Sequence, residues 1–243
     1  MDTTDYPNLI RHEGEALLSA VTGNLDRPVP TCPGWDARRL VGHVGRVLEA
    51  QTTHIRRATT QPPERVGPPP TDDTELIDYY HQCLDLAVDI LTSVDADLPA
   101  WNFTLAPKIA RFWPRRLAHE LLVHRYDAAN CAGLTWTVEP TFAADGVDEV
   151  LTVLLPAARA AGVTPVAADG SAHVHLTDTD GEWLVRLDGT TVEVSVGHAK
   201  GDGMLRGPAD KVLLALWGRV APDSDGLIVL GSAELIQALL PGR

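Results

Sequence analysis

The chain has 243 residues, 44% of them hydrophobic and 22% charged, and its 20 Lys and Arg against 33 Asp and Glu give a formal net charge of -13. That length is enough to bury a sizeable core in one large domain or two small ones. So acidic a chain lacks the positive footprint that neutralises phosphates, so no nucleic-acid partner is expected. Cys32, Cys83 and Cys131 have no close-paired spacing, which argues against a disulfide framework or a four-thiolate zinc knot. The opening MDTTDYPNLIRHEGE has no apolar signal core, and no stretch approaches the ~20 apolar residues of a membrane span. A soluble cytoplasmic protein with no membrane partner is expected.

Residues 8–25 read as a first amphipathic helix, with Leu9, Glu13, Ala16, Leu17, Ala20 and Val21 at helical spacing, before Asp26-Arg-Pro-Val-Pro30 breaks it. A second helix starts after Asp36, a suitable N-cap, with Trp35 and Leu40 at the positions of a hydrophobic staple. Its apolar side carries Leu40, Val41, Val44, Val47 and Leu48, and His43 falls on that side. The Pro-rich stretch 61–73 is a stiff linker, and a third helix follows over about 74–95. Residues 97–112 are aromatic and apolar without a clear period. Trp113-Pro114 then opens a fourth helix, since proline suits the first helical turn, and Gly133 ends it. Four long helices predict a four-helix bundle over residues 1–135.

The pattern then changes. Residues 141–160 read as helix, after which the period becomes two. His173 and His175 alternate with Val174 and Leu176, Asp180-Gly181 marks a turn before WLVRL and Asp188-Gly189 one between WLVRL and TVEVSV, which predicts a meander of short antiparallel strands. A helix over 207–219, a short strand at LIVLG and a final helix capped by Ser232 complete a second domain, residues 136–243. The expected fold class is therefore α+β.

On the fourth helix Glu120 and His124 are four apart and lie one turn from each other on one face. A carboxylate and an imidazole so placed can hold one metal ion, yet the same spacing also describes an ordinary helical Glu–His pair. His43, on the inward face of the second helix, is the candidate third ligand. Two histidines and a carboxylate with an open position is a known catalytic arrangement for zinc. His119-Glu120 with His124 is not the metalloprotease motif, because the second histidine comes one residue too late, and His119 is expected in packing or beside a ligand. His54 lies about three turns beyond His43, ~16 Å away, too far for the same ion. His173 and His175 share a strand face and could bind metal, but the sequence offers them no third partner.

The stretches VPTCPGWDARRLVGHVGRV (29–47) and WPRRLAHELLVHRYDAANCAG (113–133) resemble the two signature stretches of the mycothiol-dependent maleylpyruvate isomerase family. That family's N-terminal bundle is related to the DinB-like metal-binding proteins. LWGR (216–219) and the closing LIVLGSAELIQALL extend the resemblance over nearly the whole chain. It implies a metal triad of His43, Glu120 and His124, holding zinc or another divalent ion, and mycothiol as thiol cofactor or cosubstrate acting on a small-molecule substrate. The implied reaction is addition of the thiolate to the cis double bond of maleylpyruvate, rotation, and elimination to fumarylpyruvate. A mycothiol S-transferase would use the same thiolate on another electrophile, and a noncatalytic metal-binding regulator would keep the bundle alone. The family's catalytic arginine best matches Arg219, with Arg206 as rival and an ordinary helix-end arginine as the plain alternative. Trp35 and Gly34 read as structural, and Arg115, Arg116 and Arg125 either meet a carboxylate or lie on outer helix faces.

Overall fold

The structure, a computed structural model, describes residues 6–241. The first five residues and the last two of the expected domain ranges lie outside these. The chain divides into two compact units, one of residues up to 102 with 106–136, the other of 137 onward with Phe103–Leu105. The first is the expected helical bundle and the second the expected α+β domain.

Four helices make the first unit: α1 (Tyr6–Val21), α2 (Ala37–Arg56), α3 (Asp73–Ser93) and α4 (Trp113–Ala132). Helix α1 packs on α3 and α4, and α2 on the same two, so each helix buries one stripe against two neighbours. Ile10, Leu17, Leu40, Leu48, Leu76, Leu84, Leu117 and Leu121 fill the centre. Asp36 caps α2 by accepting from the Arg39 N–H at 2.8 Å. Asp72 caps α3 through the N–H groups of Thr74 and Glu75. Pro114 stands in the first turn of α4, and Gly133 ends that helix at φ 70°, where a side chain would be strained. The buried Glu13 of α1 pairs with Arg125 of α4. The segment before α4, left unassigned by periodicity, is a loop closed by a bridge between Pro99 and Ile109 and one 3₁₀ turn at Ala110–Phe112.

In the second unit the helix expected over 141–160 is α5 (Pro140–Glu149), a π turn at Val150–Leu154, and α6 (Leu155–Ala161). Pro156 explains the interruption: it has no N–H, and its ring would clash with the carbonyl four residues back in a regular helix. Five strands follow: β1 (Gly170–Leu176), β2 (Glu182–Asp188), β3 (Thr191–Val196), β4 (Gly203–Gly207) and β5 (Ile228–Gly231). Helix α7 (Ala209–Leu216) lies between β4 and β5, and α8 (Ala233–Gln237) closes the fold. The sheet order is β3-β2-β1-β4-β5.

This corrects the simple meander in two respects. Strand β4 was not expected, because GMLRG is short and bounded by glycines. It pairs parallel to β1, with Ala172 opposite Gly203 and Leu176 opposite Gly207. One face of the sheet is fixed to α5, where the Trp183 indole donates to Asp148 Oδ1 at 2.9 Å. The buried Arg159 of α6 donates to the carbonyls of Ala168 and Gly189 and to Asp169. Among the described residues, no helix is long and apolar enough to cross a membrane.

The α2 cap is the most isolated of these local devices. Replacing Asp36 with Ala should cost about 1 kcal/mol. Thermal unfolding followed by circular dichroism should show the midpoint fall by about 2–4 °C.

Candidate metal centre

Helix α4 is buried over most of its circumference, yet a polar stripe runs along it. Arg116, Glu120 and His124 follow at four-residue steps, and Asp127 comes three later, so all four stand on one face. Each is satisfied by the next. Arg116 Nη2 donates to Glu120 Oε2 at 2.8 Å. Glu120 Oε1 lies 3.4 Å from His124 Nε2 and 3.6 Å from His43 Nε2. On the other edge of the ring, His124 Nδ1 is 2.9 Å from Asp127 Oδ2, and the Thr31 hydroxyl donates to Asp127 Oδ1 at 2.6 Å.

Asp127 lies in the position of the carboxylate that orients a metal-binding imidazole. Hydrogen-bonded to Nδ1, it leaves Nε2 facing Glu120 and His43. Burial pushes the Glu120 carboxyl up, but hydrogen bonds from His124 and His43 and the charge of Arg116 outweigh it and hold the group well below the usual carboxylate range. Glu120 is therefore ionised at neutral pH.

The donor atoms of His43, Glu120 and His124 all lie within 4.8 Å of one another. Bonds of roughly 2.0–2.1 Å from zinc to nitrogen or oxygen place tetrahedral ligands about 3.3 Å apart. The two distances to Glu120 are close to that edge, so the residues fit a divalent ion with little adjustment. Three protein donors would leave a tetrahedral ion one position for water or substrate. The His43 side chain is 37% exposed while that of His124 is 7% exposed, so the cluster is open on the His43 side.

A cavity of about 480 Å³ begins at His43 and runs along α2 past Arg46, Gln51 and His54 to Trp101 and the 62–66 segment. Arg46 Nε, Gln51 Oε1 and His54 Nδ1 are buried at its wall without a hydrogen-bond partner. Such groups cost free energy unless a ligand or water satisfies them. His54 sits between the rings of Trp101 and Trp113, with centroids at 5.0 and 5.5 Å. Burial, helped by the Arg57 charge, pushes its pKa down to about 4.

Two matches of one kind cover most of the chain. Residues 8–129 match the model of the mycothiol maleylpyruvate isomerase N-terminal domain, and residues 141–238 match that of the C-terminal domain. The chain belongs to the mycothiol maleylpyruvate isomerase family. Membership in an isomerase family places it among enzymes. Two similar solved structures are a mycothiol-dependent maleylpyruvate isomerase and a histidine-to-alanine variant of it. Each is 13% identical with a TM-score of 0.61, over 94% of this chain and 93% of the other. At that identity they show a shared fold. No curated protein matches the chain.

The remaining sequence candidates are distributed differently. Arg219 lies in the other unit, just after α7, where Nη1 donates to the Trp217 carbonyl at 3.0 Å. There it lines a cavity of about 650 Å³ with Pro165, Trp217 and Pro222. Arg206 is an exposed residue of β4. His119 is fully buried and edge-on to Tyr6. Burial pushes the Cys83 thiol up to about 11, as suits inert packing.

Three residues were under-read. Trp35, expected only to staple α2, lies against the imidazoles of His43 and His124, at 4.9 and 6.5 Å between centroids. Arg116 is buried on Glu120 rather than on an outer face. Asp127 was not singled out, although its spacing from His124 was visible.

Two outcomes follow from this geometry. Asp127→Asn should weaken zinc binding about 10–100-fold, measured by competition with a chromogenic chelator. His54 binds protons more weakly in the fold than in the unfolded chain, whose value is near 6.5, so its contribution to stability is complete above that pH and lost as pH falls towards about 4. The loss has a ceiling of about 3 kcal/mol, and urea unfolding of His54→Phe against the parent should show this part of the acid sensitivity removed.

Proposed function

We propose that the protein is a zinc-dependent enzyme that activates mycothiol as a thiolate nucleophile, with His43, Glu120 and His124 holding the ion. The observation that carries the reading is the three-donor cluster, open on the exposed side of His43. The family assignment adds the thiol. A divalent ion bound there supplies positive charge that favours the thiolate over the thiol at neutral pH.

The protein's own groups do the positioning. Arg116 fixes Glu120 from behind, so that Oε1 is turned to the two imidazoles. With an ion bound, Asp127 would hold the proton on His124 Nδ1 and leave Nε2 for the ion. Trp35 covers the imidazole pair with an apolar face. A polar ligand in the cavity beyond His43 would find Arg46 Nε as a donor, Gln51 Oε1 as an acceptor and His54 Nδ1 as a third partner. Because His54 is neutral at pH 7, it presents no positive charge to that ligand.

The substrate we assign is a cis-unsaturated dicarboxylate of the maleylpyruvate kind, converted to its trans isomer. Arg219 is proposed as the arginine that holds a carboxylate or stabilises an enolate. S-transfer to an electrophile would draw on the same cluster, and product analysis separates the two. Zinc-loaded protein with mycothiol and maleylpyruvate should yield fumarylpyruvate without net thiol consumption, whereas a stable thiol adduct would assign a transferase. His43→Ala and Glu120→Ala should each lose bound zinc and lower turnover at least about 100-fold. Full zinc occupancy in both variants would refute the assignment. Arg219→Lys should lower kcat, and unchanged turnover would remove the arginine from the reaction.

A further inference from the structure

We infer that the C-terminal domain carries a second divalent-metal site, closed and structural, formed by His173, His175, Glu182 and His198. Alternation on β1 puts His173 and His175 on one face. The antiparallel register sets Glu182 of β2 directly opposite His175. His198 arrives from the connection between β3 and β4. Since β2 and β1 separate those two strands in the sheet, residues 197–202 must cross both. They cross on the histidine-bearing face, because the His198 ring meets that of His173 at 5.3 Å between centroids.

The four side chains converge on one point. Glu182 Oε1 is 3.0 Å from His175 Nδ1, while Oε2 is 2.9 Å from His198 Nδ1 and 3.4 Å from His173 Nε2. All four donor atoms fall within 4.8 Å of one another. His173 is only 4% exposed, and its buried Nε2, turned into the cluster, makes no hydrogen bond. Apart from that 3.4 Å approach to Glu182, packing gives this buried imidazole nitrogen no partner. A cation at the centre would satisfy it.

Three imidazoles and one carboxylate suit a borderline divalent ion such as Zn²⁺ better than Mg²⁺ or Ca²⁺, which prefer all-oxygen shells. Four protein donors fill a tetrahedron, the pattern of structural rather than catalytic zinc. The ion would tie the 197–202 crossover to β1 and β2. His198, with a side chain 81% exposed, is the ligand free to close the last fraction of the distance. Arg206 stands opposite His175 on β4, but it is exposed and can turn its charge to water.

Zinc alone, titrated into metal-free full-length protein, tests this directly. The parent should take up two equivalents, and the His43→Ala/Glu120→Ala variant one. His175→Ala/His198→Ala should also take up one, with the circular dichroism of the parent. In the bundle variant the remaining equivalent should raise the unfolding midpoint, and Co²⁺ in its place should give the visible absorption of a tetrahedral nitrogen–oxygen site, which His198→Ala alone weakens. Uptake of no zinc by the bundle variant would overturn the inference, as would a second equivalent that survives loss of His175 and His198. A parent that takes one equivalent, lost with His198→Ala but kept in His43→Ala/Glu120→Ala, would uphold this site while refuting the one in the bundle.

Discussion

The bundle depends on a carboxylate held ionised among apolar helices. Burying a charge is costly unless it is paired and hydrogen-bonded on all sides. Glu120 meets that requirement with Arg116 on one oxygen and two imidazoles facing the other. The same logic extends along α4. Arg116, itself 3% exposed, is neutralised by Glu120, and Asp127, fully buried, is held by Thr31 and His124. The stripe is thus one connected network, in which each polar group is the condition for burying the next. It also reaches outward, since Thr31 precedes α2 and His43 lies on it, so the network fixes α2 against α4. A helix that held only leucines here would pack, but nothing would set where His43 points.

The parts of this arrangement differ in how visible they are in the sequence. Helices α2 and α4 are legible because their ends carry local chemistry, Asp36 at one start and Pro114 and Gly133 at the start and end of the other. Glu120 and His124 are legible as a pair by spacing. Bringing His43 to them is a tertiary event: periodicity puts His43 on the inward face of its helix and makes it a candidate, and the resemblance of the flanking stretches matches it to the triad. Arg116 and Asp127 are harder for a different reason. Charged residues on a helix usually mark its wet face, so their regular spacing from Glu120 and His124 reads as solvent exposure until the helix is seen to be buried. In the second unit the failures are topological. GMLRG is too short and too glycine-rich to announce a strand, and its parallel pairing to β1 depends on a crossover. The π turn before Pro156 shows the reverse case, where a continuous helical pattern hides a break that one proline requires.

The two histidine–glutamate clusters show how secondary structure sets the number of donors, and with it the chemistry available. On α4 the four-residue step places two donors on one face, and a neighbouring helix has room to add one more from the side. Three donors would leave an ion one open position, on the side where the cavity along α2 begins at His43. On the sheet the two-residue step gives a pair from one strand and a third donor from the facing strand, and the crossover lays a fourth over the top. Four donors leave no vertex. The catalytic role proposed for a metal-activated thiol therefore suits the helical cluster alone, because the thiol would have to reach the ion. The sheet cluster, if it takes an ion, can only brace the fold. The two frameworks therefore differ before any substrate is named: the helices bring three donors together beside a cavity, while the strands and their crossing loop bring together four.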